Sequence, residues 1–172
     1  PPLQPRPHQG HAQHAYLLLR PGPAIVYHNA RGISRPGGFW PREGTPIALG
    51  LDPGVGSDDT LTTLTSLRAS YARGELQPLN ATDPVNPSLE DVLIFERRAS
   101  GGPATALVAV NDRHDPGDQT RNVLTTFAPG TRLHELTGAA DDPRIDPAGR
   151  VAPVIVVGAD QRALVTAPTR VS

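Results

Sequence analysis

A proline-glycine-proline triplet at residues 21–23 constrains the fold of this chain more than any other feature. Proline has no backbone N–H and fixes φ, so a regular helix ends before such a triplet. The apolar positions before it recur at helical spacing, which predicts a helix over about residues 9–20. Residues 24–27 include β-branched Ile25 and Val26, a pattern typical of a strand buried on both faces of a parallel sheet. The order is therefore helix, turn and strand, and the loop after such a strand is the first place to look for function.

That loop spans about residues 28–59 and is too long for an ordinary connection between two elements. It contains Phe39, Trp40 and several arginines. Because disordered segments are poor in aromatic residues, we expect the loop to be ordered.

A second helix is predicted after the loop. Ser57 offers a capping hydroxyl, and Asp58 and Asp59 place negative charge near the positive end of the helix dipole. Gly74 stands at the expected C-terminal end. Apolar residues recur between these ends at intervals of three and four, which predicts one buried stripe. The stripe consists of Leu61, Leu64, Leu67 and Tyr71.

The composition changes after Asn80. Residues 83–87 resemble a linker, and short β-branched runs separated by turn residues follow them. Such runs predict an antiparallel sandwich or barrel, with a domain boundary near Pro87 that divides the chain into residues 1–87 and 88–172. The predicted strands are residues 92–97, 105–110, 122–127, 132–135, 154–157 and 163–167.

The overall composition excludes several classes of protein. A net charge of -1 gives no electrostatic argument for binding nucleic acid or an anionic membrane. The absence of cysteine excludes disulfides and thiolate zinc sites, and no apolar stretch approaches the roughly 20 residues that a membrane span needs. Because the chain has no methionine and starts at Pro1, we expect it to be a piece of a longer protein.

Several segments, taken in order, resemble the last part of the α-amylase family, glycoside hydrolase family 13. The resemblance covers nearly the whole chain from about residue 9. It implies an α/β part, the terminal segment of a (β/α)8 TIM barrel in residues 1–87, followed by an antiparallel β-sandwich domain in residues 88–172. The segments are YLLLRPGPAIVYHNARG, LTTLTSLRASYARGELQPLN, DVLIFERR, ALVAVNDR and GTRLHELTG.

The resemblance also implies a function in α-glucan chemistry. Family members hydrolyse or transfer α-glucosidic bonds with retention, and their three catalytic carboxyl groups follow barrel strands that lie upstream of anything aligned here. Retaining hydrolysis needs two carboxyl groups about 5–5.5 Å apart. Glu43, the carboxylate nearest the predicted strand, cannot supply both roles, so we assign no catalytic residue to this chain. Its partners would be the N-terminal remainder of the same catalytic domain and an α-glucan or oligosaccharide.

The long loop supplies the candidate substrate-binding residues. His28, Asn29 and Arg31 follow the predicted strand, and Trp40 has the flat apolar face on which a sugar ring stacks. The alternative for Trp40 is that, with Phe39, it anchors the loop by burial. The family usually has a second tyrosine and a Gly-Asp or Gly-Glu pair after this strand, so the resemblance implies a divergent pocket here.

Other motifs are interpreted as structural. The histidines at positions 8, 11 and 14 lie in a proline-rich stretch without a carboxylate, and residues 111–118 lack the alternating ligands of a calcium loop, so we predict a tight turn there. Asp141, Asp142 and Asp146 receive the same interpretation, and we predict no metal and no cofactor. Asn80-Ala81-Thr82 matches a glycosylation acceptor.

Two alternatives to an enzyme remain open at the level of the sequence. The β part is alternatively a non-catalytic carbohydrate-binding or structural module, with the N-terminal part as its support. A family member that has lost its catalytic acids and serves as a scaffold is the other possibility.

Overall fold

The computed structural model describes residues 15–23, 59–111, 113, 117–141 and 148–168, with backbone alone at 59–62. Residues 15–19 are helical, and a second helix, α1, covers Asp59–Ser70. A single 3-10 turn covers Asn80–Thr82. The strands are β1 (Glu75–Pro78), β2 (Val92–Arg98), β3 (Ala104–Asn111), β4 (Gln119–Leu124), β5 (Arg132–His134), β6 (Val154–Val156) and β7 (Arg162–Ala167).

The strands form three antiparallel sheets within the described residues. β1, β2 and β3 make the first sheet, β4 pairs with β7, and β5 pairs with β6. β2 is central in the first sheet, with Leu76 of β1 opposite Arg97 and Val108 of β3 opposite Phe95. Successive side chains of a strand point to opposite faces. Phe95 and Arg97 therefore share one face of this sheet, while Ile94 and Glu96 share the other.

The face with Phe95 packs against the helices. Phe95 is fully buried and forms one core cluster with Val108 and Val110 of β3. This sheet face is covered because helical residues from before β1 complete the cluster. They are Leu18 and Leu19 in residues 15–19, Leu64 in α1 and Ala72 just after α1.

The opposite face packs against the pair β4–β7. Val92 and Ile94 are almost completely buried there, and Leu79 joins them from the segment between β1 and the 3-10 turn. The first sheet is therefore covered on both faces. The residues contributed by β4 and β7 are Val123, Ala163, Val165 and Ala167.

The structure confirms the predicted β-rich antiparallel domain, and no barrel portion is present in the part it describes. α1 confirms the second predicted helix, in which Leu64 is buried and Leu67 packs against the core. Tyr71 was wrongly placed in the buried stripe, because it follows the end of α1 and is 46% exposed. The predicted strand over residues 24–27 lies outside the described residues.

Three local features differ from the sequence prediction. β1 was not predicted, and the fourth strand begins at Gln119, three residues before the predicted start at Asn122. Residues 83–87 are not a passive linker, since Asp83 is 5% exposed and its carboxylate accepts hydrogen bonds from three backbone N–H groups.

The first sheet crosses the sequence position at which we placed the domain boundary. β1 precedes Pro87 and pairs directly with β2, which follows it. Residues on both sides of Pro87 therefore share one sheet, and the division into two domains stays a prediction.

Candidate functional site

The predicted substrate-binding residues His28, Asn29, Arg31 and Trp40 lie outside the described residues. Glu43, Phe39 and the three N-terminal histidines lie outside them too. The structure describes the segment that leads into the candidate loop, residues 15–23, and the side chains that hold it.

Arg68 of α1 binds the turn that ends the helical residues 15–19. Its Nη1 donates hydrogen bonds to the carbonyl oxygens of Leu18 and Arg20, the latter at 2.9 Å, and its Nη2 donates to the carbonyl oxygen of Gly22. The last carbonyl groups of a helix have no partner within the helix. Arg68 satisfies that of Leu18 and two carbonyl groups of the turn that follows, and its positive charge offsets the negative end of the helix dipole.

Arg97 of β2 binds the same turn from the sheet. Its Nη1 donates to the carbonyl oxygen of Leu19, its Nη2 donates to Gly74 at 2.6 Å and its Nε donates to Glu75 at 3.2 Å. The side chain is 2% exposed. Burial lowers the pKa of Arg97 below its ordinary value, and the positive charge of Arg68 lowers it further. Arginine nevertheless stays protonated in proteins, so all of its donors remain available to these carbonyl oxygens.

An open cleft of about 450 Å³ lies beside the two arginines. Its described lining contains no carboxylate and no histidine, so it offers neither a general acid or base nor a metal ligand. The cleft lies between the turn and the end of α1. The lining residues are Pro21, Gly22, Thr65, Arg68, Ala69, Ala72, Arg73, Gly74 and Arg97.

A second polar network ties the first sheet to β4. Asn80 is 1% exposed, its Nδ2 donates to the carbonyl oxygens of Ser88 and Val92, and its Oδ1 accepts from the N–H of Ile94. The amide thereby continues the hydrogen bonds that β1 makes to β2. Because this nitrogen is buried and hydrogen-bonded, the asparagine that matches a glycosylation motif is not accessible in the folded chain.

Asp83 extends this network toward β4. One carboxylate oxygen accepts from Val85 and Asn86, and the other accepts from the N–H of Asn122 at 2.8 Å. Burial raises the pKa of Asp83, but these three hydrogen bonds and the positive charge of Arg121 outweigh burial, so the pKa lies below its ordinary value.

Glu96 is a fully buried carboxylate with a structural partner. It accepts hydrogen bonds from the N–H of Thr126 at 2.8 Å and from its hydroxyl at 2.7 Å. Since both oxygens bind the turn after β4, Glu96 holds this turn against β2.

The predicted turn over residues 111–118 connects two different sheets. The Nδ2 of Asn111 donates to the carbonyl oxygens of Gly117 and Ala167, at 2.9 and 2.8 Å. Asp118 forms an ion pair with Arg150 at 3.4 Å. In the part of the chain that the structure describes, no three histidine or acidic side chains come together to hold a metal ion.

Sequence reasoning missed the two arginines that hold the turn. The available signal was the position of Arg97, which alternation along β2 places on the same face as Phe95. A cation on an otherwise apolar face requires polar partners. The sequence did not show that these partners are backbone carbonyl groups at the end of a distant helix.

Neither the family models, nor the curated proteins, nor the solved structures that were compared with this chain match it. No helix within the described ranges is long and apolar enough to cross a membrane.

Proposed function

We propose that this chain is the C-terminal portion of an α-glucan-active glycoside hydrolase or transglycosidase. In this proposal residues 15–23, the strand predicted after them and α1 close a (β/α)8 barrel, and the β-sandwich supports them. The catalytic carboxylates lie upstream of this chain, and the loop with His28, Asn29, Arg31 and Trp40 forms one wall of the substrate site.

The observation that carries the proposal is the packing of the two helical segments on one face of an antiparallel sheet. Leu18, Leu19 and Leu64 share a core with Phe95, and both Arg68 and Arg97 bind the turn between residues 18 and 22. This is the arrangement expected when the last helices of a barrel rest on a C-terminal sandwich. It agrees with the order of segments that resembles the α-amylase family.

The two buried carboxylates in the described residues have structural partners, as expected if the catalytic carboxylates lie upstream of this chain. Asp83 and Glu96 are buried and engaged with backbone and threonine donors, as expected of structural groups. A retaining mechanism needs a free nucleophile and a protonated acid facing one bond. Neither of these carboxylates meets that requirement.

The aromatic content favours support over sugar binding as the role of the β part. Residues 88–172 contain only Phe95 and Phe127 as aromatic residues. Phe95 is fully buried and Phe127 is half-buried. Carbohydrate-binding surfaces usually present exposed aromatic rings, so we favour a structural module over the alternative of a carbohydrate-binding one.

The test compares the isolated chain with the same chain extended upstream by its own gene. We expect the extended protein to hydrolyse or transfer maltooligosaccharides, measured by release of reducing ends and by product chromatography, and the isolated chain to do neither. Activity of the isolated chain, or inactivity of a folded extended protein on all α-glucans, would contradict the proposal. Retardation of the isolated chain in gels that contain soluble starch would instead favour the binding module.

A further inference from the structure

We propose that Arg97 is a positioning residue: from the β-sheet, it fixes the turn from which the candidate substrate loop starts. The inference concerns how the start of that loop is held in position. Its consequence for substrate binding rests on the proposed function. Arg97 lies on the central strand of the first sheet. In the described part of the chain, it is the only side chain of the strands that hydrogen-bonds to residues 15–23.

The hydrogen bonds of Arg97 make a junction of three segments. One guanidinium group binds Leu19 at the end of the first helical segment, Gly74 after α1 and Glu75 at the start of β1. The donors of a guanidinium group have a rigid planar arrangement. Movement of the turn relative to the sheet therefore breaks at least one hydrogen bond in a buried place, where an unsatisfied carbonyl group is costly.

The two arginines hold the turn from different parts of the fold. Arg68 belongs to α1 and binds Leu18, Arg20 and Gly22, whereas Arg97 belongs to the sandwich and binds the intervening Leu19. Only one residue separates Gly22 from the predicted strand that precedes His28. Since both arginines bind this short turn, we expect the sheet to fix the start of the predicted strand and of the candidate loop.

Burying the positive charge of Arg97 costs free energy, and the hydrogen bonds of its guanidinium group offset that cost. Burial and the neighbouring charge of Arg68 both oppose the protonated state, so a neutral side chain would be cheaper to bury. A lysine keeps the charge but is a compact group on a flexible stem and cannot reproduce the planar fork. Arg97→Lys therefore separates the fork geometry from the charge.

The experiment uses the 172-residue chain and its single tryptophan, Trp40, which lies in the candidate loop. Arg97→Lys is compared with Arg121→Lys, a matched control in β4. Arg121 is 5% exposed and its hydrogen bonds go to Gln119 and Thr120. We measure amide hydrogen exchange at Arg20, whose N–H donates to the carbonyl oxygen of Tyr16, together with acrylamide quenching of Trp40 and urea denaturation, for both variants.

We expect Arg97→Lys to accelerate exchange of the Arg20 amide by about tenfold or more, while the amides of β2 and β3 stay protected. Quenching of Trp40 should increase in this variant and remain at the wild-type level in Arg121→Lys. Equal effects of the two variants on exchange and quenching, or uniform loss of protection in Arg97→Lys, would overturn the inference.

A second arm uses the upstream-extended protein. There Arg97→Lys should raise KM for maltooligosaccharides several-fold more than it lowers kcat, because it displaces the loop and leaves the catalytic carboxylates in place. An active protein whose KM is unchanged by Arg97→Lys would contradict the role in substrate binding. If the extended protein is inactive, the proposed function fails, and exchange and quenching in the isolated chain still decide whether Arg97 positions the turn.

Discussion

At the scale of single residues, buried polar side chains complete hydrogen bonding that the strands leave unfinished. Asn80 is the clearest case, because its amide donates to two carbonyl oxygens and accepts from one N–H beside β2. The planar amide offers two N–H donors and a carbonyl acceptor, which matches these three partners. The asparagine that matches a glycosylation motif in the sequence therefore stabilises the fold through its side-chain amide.

Asn80→Asp tests this role. The substitution replaces the donor nitrogen with a second oxygen that faces the carbonyl groups of Ser88 and Val92, at 3.0 and 2.9 Å in the wild type. We expect the free energy of unfolding to fall by about 3 kcal/mol or more, since a charged carboxylate becomes buried with only the N–H of Ile94 as a donor and with its second oxygen facing two carbonyl groups. Urea denaturation measures the change.

The control for this change is Asn86→Asp. Asn86 is exposed and its side-chain oxygen accepts a hydrogen bond from Ser88, a function that aspartate keeps. Its effect should stay within about 0.5 kcal/mol. Equal stability losses in the two variants would show that burial of the Asn80 amide is unimportant.

Asp83 gives the fold a defined dependence on pH. Its pKa is lowered in the folded state, so its carboxylate stabilises the fold above the unfolded pKa, about 4, and the contribution is lost as the pH falls through the lower folded value. We expect Asp83→Asn to cost about 1–3 kcal/mol at pH 7. The difference from the wild type should shrink below about pH 4.

Urea denaturation of both proteins between neutral and acidic pH measures this difference. Asp160→Asn is the control, because Asp160 is exposed and accepts one N–H at 3.2 Å. A stability difference for Asp83→Asn that does not change with pH would refute the assignment to the ionised carboxylate.

Sequence patterns located few of these residues. Asp83 lies between proline and small polar neighbours, which predicts a loop, and nothing local shows that the loop reaches the N–H of Asn122. Arg97 and Glu96 are adjacent charged residues at the end of an apolar run, where exposed positions are the ordinary expectation. Their burial depends on partners that are distant in the sequence, and the spacing of residues in a single sequence does not reveal those partners.

At the scale of elements, the sequence pattern located the second helix and the central strand of the first sheet. The predicted second helix corresponds to α1, and the predicted strand at 92–97 corresponds to β2 with one added residue. β1 was missed because only Leu76 of its four residues is shielded from solvent and Pro78 ends it. Pairing with β2, rather than its own composition, makes this segment a strand.

Gly74 lies between α1 and β1, and its substitution tests how closely the backbone there approaches β2. It has φ of +81, and an added Cβ would lie 2.0 Å from the carbonyl oxygen of Arg98. Gly130 has the same φ of +81 and no atom within 4 Å of such a Cβ. Comparing alanine substitutions at the two glycines therefore separates the cost of backbone strain from the cost of steric overlap.

We expect Gly130→Ala to lower the free energy of unfolding by about 1–2 kcal/mol, the cost of a left-handed conformation for alanine. Gly74→Ala should lower it by clearly more, about 3 kcal/mol or above, because the backbone of β2 must also move. Thermal and urea denaturation of the two variants provide the comparison. A Gly74→Ala loss no greater than that of Gly130→Ala would show that the helix and strand tolerate a wider separation.

At the scale of the whole molecule, the central sheet has two covered faces that depend on different parts of the chain. Helical residues from before β1 cover Phe95, while β4 and β7 cover Ile94. Composition predicted a β-rich second half, but it did not predict that the first sheet takes a strand from the first half. The change in composition near Pro87 therefore need not coincide with a folding boundary.

Two shortened chains test this point, one of residues 59–172 and one of residues 88–172. The shorter chain lacks β1, the core residue Leu79 and the amide of Asn80. β2 therefore loses a neighbouring strand and two side-chain hydrogen bonds, and Ser88 loses a third. Burial of one leucine contributes about 1.5–3 kcal/mol, and each hydrogen bond contributes about 1 kcal/mol. Their sum is comparable with the entire stability of a small domain, about 5–15 kcal/mol.

We therefore expect residues 59–172 to unfold cooperatively in urea and residues 88–172 to show no cooperative transition and poorly dispersed amide resonances. The longer chain keeps Leu64 and Ala72 over Phe95, although it lacks Leu18 and Leu19, so its midpoint should lie below that of the full chain. Cooperative unfolding of residues 88–172 would establish the boundary at Pro87. It would also mean that β1 is an accessory strand and that the other strands fold without its pairing with β2.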